Sequence, residues 1–190
     1  YYYNTSIRNG YTLRLIREEI ETSYKLSMIA ALKEIEILKG DADRKVVYAH
    51  HKFVEPMLDY VVADFEKARL TFNDRSIGGM VVCDSAEQAR KMAEIFKEKY
   101  AEPEYDYLMA AEPKMMYGDQ RREACKVKTA ALILHDAGTK QERKDLVEDF
   151  KEGKIDLLFV YNMLLTGFDA KRLKKLYIGR VIKSHNLLQT

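Results

Sequence analysis

Asp156-Leu157-Leu158-Phe159-Val160-Tyr161-Asn162-Met163-Leu164-Leu165-Thr166-Gly167-Phe168-Asp169 is the stretch on which the reading of this chain turns. Its first half is a short, nearly all-apolar run, the pattern of a strand buried on both faces. The run then meets a threonine, a glycine and an acid, which offer a hydroxyl, a backbone that a ligand approaches closely and a carboxylate. In open parallel sheets, ligands gather at the carboxyl ends of strands. Phosphate and ribose need groups of these three kinds. Taken alone, however, Thr166 to Asp169 reads equally well as a plain turn with a capping threonine.

The same strand, turn and helix pattern occurs twice upstream. Gly78-Gly79-Met80-Val81-Val82-Cys83-Asp84 predicts a buried strand. Ser85 then opens a helix to about residue 100, with Gln88 placed to complete a capping box. Ala130-Ala131-Leu132-Ile133-Leu134-His135 predicts a second strand. Thr139 and Glu142 cap a helix that carries Leu146, Val147 and Phe150 and stops at Gly153. Residues 155–160 form the third strand and 175–179 a fourth. Strands alternating with helices in units of this size imply an α/β fold, a parallel sheet covered by helices on both faces.

Before residue 78 the pattern is helical. Leu13, Ile16, Ile20 and Tyr24 form one stripe of a helix over residues 11–38, and residues 44–69 form a second, expected to break at Pro56, with Met57, Val61 and Phe65 on one side. Two regions follow: residues 1–77 as a helical extension packing on the sheet domain, and residues 78–190 as that domain. Residues 101–128, with Pro103, Pro113, Arg121, Arg122, Lys126 and Lys128, read as a long basic insertion.

The length, 190 residues, suits one domain with an extension. With 32 basic against 30 acidic residues the net charge is only +2, which by itself points to neither nucleic acid nor membrane. The local distribution is more informative: residues 170–190 hold Lys171, Arg172, Lys174, Lys175, Arg180 and Lys183 and no carboxylate. Cys83 and Cys125 have neither zinc spacing nor a disulfide framework around them, which fits a reducing, cytoplasmic setting. No run approaches a membrane span in length, and the start, Tyr1-Tyr2-Tyr3-Asn4-Thr5, lacks signal-peptide order and an initiator methionine, as expected of a piece of a longer protein.

In this order the segments resemble the second RecA-like domain of superfamily 2 helicases and translocases. The strand with Cys83-Asp84-Ser85 looks like helicase motif IV, Thr166-Gly167-Phe168-Asp169 like the end of motif V, and His185-Asn186-Leu187-Leu188-Gln189 like the opening of motif VI. Met163 to Ala170, Leu176-Tyr177, the His185 run, Gly10 to Glu18 and Phe72 to Met80 are similar, more narrowly, to the motor and cleavage (R) subunit of type I restriction enzymes. Tyr161-Asn162 departs from the Thr-Asp of many helicases and is assigned no ligand contact.

The resemblance implies a RecA-like domain from the ATP-driven DNA translocase of an endonuclease that cleaves unmethylated foreign DNA. ATP and Mg2+ would be held mainly by a first RecA-like domain, since no G-x-x-x-x-G-K-S/T sequence occurs in the chain. Gly167, Asp169 and Gln189 match nucleotide-side positions, with Asp169 suited to accept from a ribose hydroxyl. Ser85 and Thr166 match positions that bond DNA phosphates, and Lys171 and Lys183 would add non-specific attraction to double-stranded DNA. The paired arginines of such motors would lie beyond Thr190, so the segment carries no catalytic residue and no metal ligand and is expected to be inactive alone. Implied partners are that first domain and a nuclease domain of the same polypeptide, and the methylation and specificity subunits; no membrane is implied.

Simpler readings stand beside these. Ser85 and Thr139 are good helix caps with or without DNA. His135 reads first as a hydrogen-bonded structural histidine, Cys83 as a small buried hydrophobe and Arg121 and Arg122 as a solvated face. The alternative for the whole is a catalytically inert RecA-like module that binds nucleic acid or regulates.

Overall fold

The computed structural model describes residues 22–39, 44–101, 117–164 and 168–179. In chain order they form α1 (Thr22–Lys39), α2 (Arg44–Tyr48), α3 (His51–Phe72), β1 (Gly78–Val82), α4 (Ala86–Lys99), α5 (Tyr117–Cys125), β2 (Ala130–Ile133), α6 (Lys140–Glu152), β3 (Leu157–Val160) and β4 (Leu173–Ile178). The four strands make one parallel sheet in the order β2-β3-β1-β4. This is the expected α/β class.

The order explains why both faces are covered. The chain moves outward from β1 to β2 and back from β2 to β3, and crossovers of one hand that run in opposite directions place their helices on opposite faces. On one face α3 and α4 bring Val54, Leu58, Val61, Phe65, Met92 and Phe96 against Val81, Leu157 and Phe159. On the other, α6 brings Phe150 against Met80, Val82, Ile133, Leu158 and Val160. Alternate residues of β1 and β3 serve the two cores, so both strands are buried throughout. Phe65, Phe150 and Phe159 are fully buried, each contributing about 1.5–3 kcal/mol relative to exposure.

α3 is thus one wall of the main core. α3 is tied to the edge strand as well: Asp64 accepts a hydrogen bond from Tyr177 Oη at 2.8 Å and pairs with Lys175 Nζ at 3.0 Å. α1 lies on α3 through Tyr24, edge-on to Tyr60 at 4.5 Å, and through a small cluster of Ile35, Val47 and Phe53. The expected break at Pro56 is displaced. α3 runs through Pro56, and the chain turns instead at Ala49-His50, where His50 caps α3 by accepting from Lys52 N. That turn lets Phe53 reach the Ile35 cluster and Val54 the main core, a tertiary demand that outweighs one lost backbone donor.

Local signals placed the other ends. α3 stops at Asn73 in the left-handed region, φ 50°. α6 has a full capping box between Thr139 and Glu142 and ends at Gly153, φ 92°. The region read as an insertion contains α5, which packs on α3, with Arg121 donating to Leu70 O at 3.2 Å; residues 102–116 lie outside the described residues. Among the described residues no helix is long and apolar enough to cross a membrane.

Candidate nucleotide and nucleic-acid edge

Val82 and Val160 are paired in register, so β1 and β3, the two inner strands, end side by side. The loops that leave them, Cys83 to Ser85 and Tyr161 to Leu164, therefore lie together at the carboxyl edge. Cys83 N donates to Val160 O at 2.8 Å and Gly179 N to Val82 O at 2.8 Å, which brings the end of β4 to the same place. β2 ends beside them in Leu134 and His135.

Each loop has a fixed shape. Ser85 is buried and extended, and its Oγ accepts from Gln88 N at 3.0 Å, the N-cap bond of α4. The return bond expected of a capping box goes elsewhere: Gln88 Oε1 accepts from Asp84 N at 2.7 Å, one residue before the cap. After β2, Asp136 pairs with Arg90 of α4 at 2.7 Å, and Arg143 donates to Ala137 O and Gly138 O. Gly138 needs its left-handed φ of 65°, and a Cβ there would meet Glu142 Oε2 at 2.9 Å. After β3, Asn162 (φ 53°) and Leu164 (φ 58°) are both left-handed. Asparagine tolerates that region, whereas leucine there is strained by about 1–2 kcal/mol. No sequence signal announces a left-handed leucine.

Of the sequence-derived site residues, Ser85 is a buried cap and Lys171 is exposed. Asp169 is exposed between Phe168 and Ala170, which pack on the α6-side core, Phe168 lying 6.0 Å from Phe150. Thr166, Gly167, Lys183 and Gln189 fall outside the described residues. The basic stretch near Lys171 divides in two. Lys171 and Lys174 are exposed, but Lys175 pairs with Asp64, and Arg172 is buried at the amino edge, donating to Ser76 O at 3.0 Å and to Phe150 O and Ile155 O. Burial pushes its pKa down.

Two simpler readings also changed. His135 is exposed, with no side-chain hydrogen bond among the described residues. Arg121 does more than face solvent, since it bonds the carbonyl of Leu70. Cys83 does behave as a buried hydrophobe: burial, with Asp84 adjacent, pushes its thiol up to about 12.

A family model described as type I restriction enzyme subunit R domain 3 matches residues 75–190, more than half of the chain. The chain belongs to that family. Type I restriction enzyme endonuclease subunits of Staphylococcus aureus strains COL and MSSA476 are each 46% identical over 46 residues, 24% of this chain and 5% of the relative. A type I restriction enzyme endonuclease subunit of Staphylococcus saprophyticus is 53% identical over 38 residues, 20% of this chain and 4% of the relative. The chain therefore matches a small part of these relatives' length. Among the described residues of this R-subunit domain no cluster of metal-binding side chains occurs.

Proposed function

We propose that this R-subunit domain is the second RecA-like domain of an ATP-driven DNA translocase, working within a type I restriction endonuclease that cleaves unmethylated foreign DNA. The observation that carries the reading is the side-by-side exit of β1 and β3, which joins the Asp84-Ser85 loop to the loop leading into Thr166-Gly167 inside the family-matched region. A motor needs one surface to hold DNA backbone and an adjacent one to feel the nucleotide, and neighbouring loops on a rigid sheet supply both.

The exposed carboxylate of Asp169 has the chemistry to accept from a ribose hydroxyl, with Gly167 and Gln189 beside the nucleotide. Mg2+ and the triphosphate would sit mainly on a P-loop domain of the same polypeptide, where they supply the phosphoryl-transfer chemistry. For DNA, Ser85, Thr166, Lys171 and Lys183 are the proposed backbone contacts. Because Ser85 Oγ already accepts from Gln88 N and is buried, its part is to fix the loop whose backbone meets the phosphate. Methylation and specificity subunits complete the complex, and buried reduced thiols suit a cytoplasmic enzyme.

The coding DNA on either side tests this. The proposal expects an upstream P-loop and two arginines three apart shortly after Thr190. A stop codon after Thr190 with no P-loop upstream would instead identify an inert module.

A further inference from the structure

Gln88 is a fully buried amide at the third position of α4, where the sequence predicts a side chain closing its own helix cap. It does something else. Its Oε1 accepts from Asp84 N at 2.7 Å, while its Nε2 donates to Tyr48 O at 2.9 Å and lies 4.0 Å from Met57 Sδ. Tyr48 is the last residue of α2, so its carbonyl is one of those a helix end leaves without an intrahelical donor. The end of β4 closes on the same point: a Cβ on Gly179 would meet Met57 Cε at 2.9 Å and Gln88 Oε1 at 3.7 Å. One amide thus joins the helical extension to the β1–α4 loop, with the end of β4 close beside it.

We infer that Gln88 is a positioning residue through which the α1–α3 extension sets the Asp84-Ser85 loop for DNA. The inference rests on the motor reading given above. A buried amide with both ends bonded is held at two points, and a shift of either partner moves the other or leaves a polar group unmet. α2 is the more adjustable of the two partners, a five-residue helix held by Val47 in the Ile35 and Phe53 cluster. A partner that presses on α1 or α2 would therefore be felt at the loop beside the DNA, without touching it.

Two substitutions separate the ends of the link. As a carboxylate, Gln88→Glu keeps an acceptor for Asp84 N and loses the donor to Tyr48 O, whereas Gln88→Met removes both. A control, Leu158→Val, loosens the opposite core face, away from this link. The experiment measures ATP hydrolysis by the assembled restriction complex against DNA concentration and against ATP concentration, with the thermal midpoint of each variant.

Positioning predicts that Gln88→Glu raises the DNA concentration for half-saturation by about three- to tenfold, the worth of one buried hydrogen bond. KM for ATP should stay within about twofold, and the control should leave half-saturation unchanged at a matched loss of thermal midpoint. If Gln88→Met does not assemble, Gln88→Glu decides alone. A DNA-stimulated wild type with Gln88→Glu indistinguishable from it, or from the control, would overturn the inference and leave the motor reading standing. A wild-type complex whose ATP hydrolysis ignores DNA would overturn both.

Discussion

Arg69 and Arg172 carry buried guanidinium groups into the amino edge of the sheet. Arg69 donates to Ile77 O and pairs with Asp156, and Asp156 also accepts from Lys128 N at 2.9 Å and from Thr129. Removing the carboxylate strands a charge that is 3% exposed, so Asp156→Ala is expected to lower unfolding free energy by about 3 kcal/mol or more. A loss under about 1 kcal/mol in urea unfolding would show that water reaches Arg69.

Glu142 makes a prediction about pH. The Thr139 N–H donates to its carboxylate and lowers its pKa from the ordinary 4.5. A carboxyl group held below its unfolded value contributes fully above that value and loses the contribution as pH falls through the folded one. Acid unfolding of Glu142→Gln should therefore differ from wild type near neutrality and converge with it as pH falls below the ordinary carboxylate range; parallel curves would contradict the capping box. Cys83, with its thiol raised to about 12, and buried Cys125 should resist a thiol reagent at pH 8 until denaturant is added. Fast labelling of the folded chain would mean that the core opens.

At the scale of elements, the tight spot is the crossing of α3 and β1. A Cβ on Gly79 would meet Leu157 Cδ2 at 2.6 Å and Phe65 Cε2 at 2.7 Å, so the glycine sets how closely the helix approaches the sheet. Gly79→Ala should cost about 1–3 kcal/mol by overpacking, seen as a lower urea midpoint with an unchanged slope. An unchanged midpoint would mean that Phe65 repacks freely.

The same elements show what the sequence could and could not convey. Thr139, Glu142 and Gly153 bound α6 as read, because caps are made by residues a few positions apart. The strands were legible as apolar runs between turns. What escaped is set by partners distant in sequence: the α2–α3 turn answers to Ile35 and the main core, Gln88 turns to Tyr48, and Lys175 and Arg172 leave a basic stretch for Asp64 and for three carbonyls. The left-handed Leu164 has no local cause in its residue type at all.

Taken whole, the molecule buries Arg69 and Arg172 at the amino edge of the sheet and leaves Lys171, next to Arg172, exposed. Sequence-independent contact with DNA backbone predicts that the affinity of the intact R subunit falls steeply with salt, by a slope of about 0.9 per phosphate contact. Lys171→Ala should reduce that slope by about one and weaken all DNA sequences alike, read from filter binding over a range of salt. Salt-insensitive binding, or a loss confined to one sequence, would remove Lys171 from the interface.

The central claim is that this domain couples a nucleotide to movement on DNA, and Asp169 is where the two can be separated. The most direct measurement is the rate of ATP-driven triplex displacement by the assembled enzyme carrying Asp169→Ala, set beside its DNA affinity. The account predicts slower displacement, by about tenfold for the loss of a charged hydrogen bond to the nucleotide, with DNA affinity unchanged; wild-type velocity would contradict it.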